Sequence, residues 1–70
     1  VDHLERFAAN MKALRAERGW SQEDLSHHSG LHATAISKLE RCARSPEFQT
    51  VVILAMAFEV PAGRLFDGIP

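Results

Sequence analysis

The chain contains one cysteine, Cys42, which excludes an intramolecular disulfide framework and makes a reducing cytoplasm the simplest compartment. No apolar run approaches the ~20 residues that a membrane-spanning helix requires. The longest, Val51 to Phe58, has eight residues. A signal-peptide pattern is absent, as are internal repeats, low-complexity tracts, linkers, and alternating runs long enough for a strand. No glycine-rich phosphate loop, nucleophile elbow or carboxylate pair suggests catalysis. The four histidines do not form a zinc-like set with cysteine or carboxylates. His27 and His28 are adjacent and cannot share a helix face, and His28 and His32 straddle a turn. These absences predict a protein that is not an enzyme and has no metal, cofactor, membrane span or small-molecule ligand.

What is present is helical periodicity. Seventy residues with 46% hydrophobic composition suit one folded domain, residues 1–70, with one modest core. A first helix is expected from Asp2 to Arg18, with Leu4, Phe7, Met11 and Leu14 on one apolar stripe and Gly19 terminating it. Trp20 is expected to pack into the core rather than stack on a base. A fourth helix should follow Pro46 and span Phe48 to Glu59, with Phe48, Val51, Leu54, Ala55 and Phe58 as its core stripe. Val52, Ile53 and Met56 fall off that stripe, at roughly 40°, 140° and 80° on a wheel that starts from Phe48. A small domain cannot bury a helix all round, so this second apolar face predicts a partner surface. Pro61 should start a last helical turn, with Leu65 and Phe66 closing the core.

Residues 21–40, SQEDLSHHSGLHATAISKLE, carry the functional signal. Ser21 is a good N-cap, Asp24 sits at the capping-box position, and Leu25 is a core anchor. Ser26 and Ser29 are small where two helices would touch, and Gly30 permits the positive φ of a tight turn. A third helix, from about Ala33 to Arg41, buries Ile36 and Leu39 and leaves Ala33, Thr34, Ser37 and Lys38 pointing elsewhere. Helix, turn and helix at this spacing match a DNA-binding helix-turn-helix, whose second helix enters the major groove. Short side chains on its free face would allow close approach to base pairs.

The net charge of −1 is low for a nucleic-acid binder, but its distribution is polarised. Residues 1–45 hold seven basic and six acidic groups, whereas residues 46–70 hold Arg64 against Glu47, Glu59 and Asp67. Lys38, Arg41 and Arg44 cluster at and after the second motif helix. Non-specific affinity should therefore be weak and strongly salt-dependent.

From Leu4 to Phe66 the sequence resembles the phage-repressor-like, or XRE-type, helix-turn-helix regulators. The resemblance is carried by Leu14-Arg15 and Arg18-Gly19, Ser21-Gln22-Glu23-Asp24-Leu25, Gly30-Leu31, Ile36-Ser37-Lys38-Leu39-Glu40-Arg41 and Arg44-Ser45-Pro46. It continues through Leu54-Ala55 and Val60-Pro61 to Leu65-Phe66. It implies an all-α fold, a compact five-helix bundle, and a transcriptional regulator that binds double-stranded operator DNA as a homodimer. It also implies a prokaryotic or phage-encoded protein, cytoplasmic and on the nucleoid when bound. Gln22 would contact a phosphate and set the docking register. Ala33, Thr34, Ser37 and Lys38 would face the groove, with Ala33 suited to a thymine methyl and Lys38 to a guanine edge or phosphate. His32, Arg41 and Arg44 would contact phosphates. Arg15 and Glu40 would form a structural ion pair between the first and third helices.

Three positions depart from the family pattern. Cys42 stands where glycine is usual, so the third helix is expected to end differently. His32 replaces the usual small polar N-cap and should soften that helix start. Ile53 and Met56 replace polar residues, which with Val52 supports a dimer interface on the fourth helix. Repressors, antitoxin autoregulators and restriction-modification controllers all fit. A different reading is a protein-interaction module that uses this apolar face and retains only weak DNA binding.

Overall fold

Asp2 caps the first helix: its carboxylate accepts the Leu4 backbone N–H at 2.8 Å. In the computed structural model, which describes residues 2–69, helix α1 spans His3–Arg18 and buries Phe7, Ala8, Met11 and Leu14. It closes at Gly19, φ 67°. There the Gly19 N–H donates to the Ala16 carbonyl and the Trp20 N–H to the Arg15 carbonyl, the paired bonds of a Schellman closure.

Helix α2 spans Gln22–Ser29 and opens with a complete capping box. The Asp24 N–H donates to the Ser21 hydroxyl at 3.0 Å, and the Ser21 N–H donates to the Asp24 carboxylate at 2.9 Å. Hydrogen bonding from Ser21 to the carboxylate, first from its backbone N–H and then from its side chain, holds the Asp24 carboxyl below its ordinary value. A carboxyl depressed in the folded state stabilises fully above its unfolded value, 3.8, and loses that contribution as pH falls through the folded value. Asp24→Ala is therefore expected to lower the melting temperature near neutrality. Its deficit relative to wild type should shrink below about pH 4, as read from melting curves across pH 6 to pH 2. An unchanged deficit throughout would remove the capping carboxylate as its cause.

Gly30, φ 80°, turns the chain toward helix α3, Ala33–Glu40. His32 makes no side-chain cap bond there. Helix α3 does not end in a new way, contrary to the expectation for a cysteine after it. Cys42 takes the left-handed conformation itself, φ 61°, with its N–H on the Leu39 carbonyl and the Ala43 N–H on the Lys38 carbonyl.

Helix α4 spans Phe48–Phe58, and Glu59, φ 57°, closes it in the same manner. Val51, Leu54, Ala55 and Phe58 are buried as expected, but Phe48 is 86% exposed. On a helical wheel Phe48 lies about 70° from the centre of the core stripe and only about 40° from Val52. As the first residue of the helix, it extends the outer row rather than the core.

The last element, Ala62–Phe66, is a 3-10 turn rather than a fifth α-helix. It follows Pro61, whose carbonyl accepts the Arg64 N–H at 3.0 Å. Leu65 is fully buried, whereas Phe66 is exposed at the rim, its ring centre 6.0 Å from that of Phe7. The described residues thus form an all-helical fold of four α-helices and one 3-10 turn around a single core. Trp20 lies at the edge of that core, half-buried and stacked between His28 at 4.0 Å and Phe58 at 5.8 Å. Arg18 pins α1 to the end of α4 by donating to the Phe58 carbonyl while its guanidinium sits 5.3 Å from the Phe58 ring.

Candidate nucleic-acid interface

Leu25 at the centre of α2 and Ile36 and Leu39 of α3 are buried in the common core, which fixes the angle between the two helices. The turn between them is held by side chains as well as by Gly30. The Ser26 hydroxyl donates to the Leu31 carbonyl at 2.5 Å, and the Leu31 N–H donates to the Ser29 hydroxyl at 3.1 Å. Ser26 and Ser29 therefore act as turn locks, not merely as small residues between helices.

With Ile36, Leu39 and Glu40 turned inward, α3 leaves Thr34 and Lys38 exposed and Ala33 and Ser37 half-exposed. Arg41 caps this helix and Arg44 follows in the loop, both exposed. His32 is exposed at the helix start. Gln22, in the first turn of α2, is half-buried. Ser37 and Arg41 touch, the Arg41 Nε donating to the Ser37 hydroxyl at 3.3 Å, so these two positions are not independent.

The electrostatics favour this end of the molecule. Arg15, Arg18 and Arg64 are each engaged with carboxylates among the described residues. Lys38, Arg41 and Arg44 have no carboxylate partner among them, so their positive charge is locally uncompensated. Arg6 and Lys12 of α1 share that condition, but only the former three follow one another at and after α3.

Behind the exposed face lies the Arg15–Glu40 pair. Arg15 grips the carboxylate with two bonds, Nε to Oε2 and Nη2 to Oε1, both 2.7 Å, and donates a third from Nη1 to the Trp20 carbonyl at 2.9 Å. The hydrogen bonds to Glu40 raise the Arg15 pKa further above neutrality against the opposing effect of burial. Glu40 is only 4% exposed, which fits a structural role. Sequence reasoning missed a third member: the Gln22 Nε2 donates to Glu40 Oε1 at 3.1 Å. Neither residue carries a spacing signal that links them, because the bond depends on how α2 packs on α3.

On α4, Val52 and Met56 are exposed and Ile53 is half-buried. Phe48, Val52 and Met56 recur every four residues and form one continuous apolar row along α4. Beside the row, His28, Ser29, Ile53, Met56 and Ala57 line a shallow groove of about 300 Å³.

The helix-turn-helix family profile matches residues 11–65. The control protein C.SmaI of Serratia marcescens is 37% identical over 65 residues, covering 93% of this chain and 77% of that protein. The crystal structure of the hypothetical transcription factor NHTF from Neisseria superposes with a TM-score of 0.88 at 34% identity, covering 93% of this chain and 75% of that one. The restriction-modification controller C.Esp1396I, solved as a tetramer with its natural 35 base-pair operator, superposes with a TM-score of 0.85 at 30% identity, covering 96% and 88% of the two chains. The chain belongs to the helix-turn-helix family of phage-repressor-like transcriptional regulators.

Proposed function

We propose that this sequence-specific DNA-binding regulator acts as a homodimer on an inverted-repeat operator. The observation that carries the reading is the run of uncompensated cations, Lys38, Arg41 and Arg44, beside the exposed face of a helix whose turn is locked from behind. In this reading α3 lies in the major groove. Ala33, Thr34, Ser37 and Lys38 face base edges, while Gln22, His32, Arg41 and Arg44 contact phosphates. Similarity along most of both chains to a control protein and to an operator-bound controller supports the controller type among regulators of this family.

Dimerisation uses α4. Val52, Ile53 and Met56 form the interface, and Phe48, freed from the core, extends it. Two-fold symmetry would place the paired recognition helices about 34 Å apart, one turn of DNA. In this reading regulation would follow from occupancy, with dimer formation and DNA binding sharing one chain of equilibria.

Selection from a random duplex pool at moderate salt tests the proposal. Enrichment of an inverted repeat, with half-sites about one helical turn apart, is the expected result. Binding that enriches nothing and vanishes at physiological salt would instead favour the protein-interaction module, for which the exposed row of α4 is the observation in favour.

A further inference from the structure

The carboxylate of Glu40 sits at the meeting point of three helices. It closes α3, receives Arg15 from α1 and receives Gln22 from the first turn of α2. Charge balance alone does not require all three. The bidentate Arg15 fork already neutralises the buried carboxylate, and the Trp20 carbonyl holds the fork in place from its other side. Gln22 contributes no charge. What the third bond does is fix the Gln22 amide.

That constraint has a direction. A carboxylate only accepts, so the bond assigns the Gln22 nitrogen to the Glu40 side and its carbonyl oxygen to another side. One Nε2 hydrogen is used by Glu40 and the second remains available. An amide without this bond exchanges its nitrogen and oxygen ends by a half-turn about its last torsion, which is soft. Toward a phosphate the two ends are opposite in effect: the N–H donates to the anionic oxygen, whereas the carbonyl repels it. Holding the amide also removes side-chain entropy before DNA arrives, so less is lost on binding.

We infer that Glu40 is a positioning residue for DNA binding, which holds the Gln22 amide with one N–H turned out for a backbone phosphate. The inference rests on the reading of Gln22 as a phosphate contact and adds the group that orients it. It gives the ion pair a second role. Arg15 fixes Glu40, Glu40 fixes Gln22, and the docking register of α2 is thereby tied to the packing of α1 against α3. A fully buried structural bridge would need no such reach to the surface.

A four-protein cycle tests this: wild type, Gln22→Ala, Arg15→Met with Glu40→Leu, and all three changes together. The ligand is a short duplex of arbitrary sequence at low salt, because phosphate contacts do not depend on sequence. Replacing both members of a buried pair by apolar residues of similar volume is often tolerated, so the paired change should melt close to wild type. It should nonetheless weaken binding about fivefold for each protomer engaged with the duplex, the scale of one hydrogen bond per protomer. Gln22→Ala should weaken binding to a similar degree, and the triple variant no further than Gln22→Ala.

Unchanged affinity in the paired variant, or penalties that multiply in the triple variant, would overturn the positioning role while leaving Gln22 as a contact. Wild-type affinity in Gln22→Ala would remove the contact reading itself, and the positioning role with it. If the paired variant does not fold, the wild-type protein alone decides by NMR. The two Nε2 hydrogens of Gln22 should resonate apart, one protected from solvent exchange and the other shifting on DNA titration. Equal, free exchange of both would overturn the inference.

Discussion

Met56→Glu is expected to convert the proposed homodimer to monomer while leaving the helical fold intact. Met56 is 72% exposed in the single chain, so the substitution meets no core. In a two-fold interface the same residue is contributed by both copies, so one substitution buries two carboxylates. Each ionised group taken from water without a partner costs several kcal/mol. A shift of about 100-fold or more in the dimer dissociation constant follows even if much of that cost is relieved by water. Sedimentation velocity over a concentration series, with circular dichroism on the same samples, reads both outcomes. Ile53→Glu should act in the same direction, although Ile53 is half-buried and borders the groove beside His28. Phe48→Glu is a cleaner companion, because Phe48 is more exposed than Met56. A dimer that survives both Met56→Glu and Phe48→Glu places the interface elsewhere on the molecule.

Replacing Arg41 or Arg44 by alanine is expected to weaken binding to every duplex alike and to flatten its salt dependence. Each phosphate contact contributes about 0.9 to the slope of log affinity against log salt. A dimer presents each residue twice, so one substitution should reduce the slope by about 1.8. Thr34→Ala should leave the slope unchanged and relax preference at one or two base positions. Ser37→Ala is a less clean probe, because Ser37 accepts from Arg41 Nε and its loss also frees that arginine. Its effect should therefore combine reduced base preference with a small change in slope. If neither the arginine nor the threonine substitution moves binding, α3 is not the DNA-facing element.

Much of the fold was legible because its signals are local. Gly19 and Gly30 closed helices where their left-handed freedom was expected, and Ser21 with Asp24 formed the anticipated box. The buried residues of α1 and α3 followed the helical period. The errors arose where period alone is ambiguous. Phe48 lies between the core sector and the outer row, and only the position of the helix end against its neighbours decides which it joins. Phe66 reads as a core residue by its type, but the tighter 3-10 turn buries Leu65 and leaves Phe66 at the rim. At the candidate site, the Arg15–Glu40 pair followed from the family resemblance and is present. The Gln22 bond to the same carboxylate joins residues 18 positions apart with no pattern connecting them, and it emerges only from the packing of α2 on α3.

Two of the helix closures described above fall on residues that carry a Cβ: Cys42 after α3 and Glu59 after α4. Each left-handed residue of this kind costs roughly 1–2 kcal/mol relative to glycine. A small domain has only about 5–15 kcal/mol of net stability, so these two turns lower it by a sizeable fraction. The effect is on turnover. A larger unfolded population is open to proteolysis at any moment, and abundance in a cell responds several-fold to changes of this size. The residue type at two turns, at positions that themselves read no base and hold no phosphate, thus helps set how long each copy of the regulator persists once its synthesis stops.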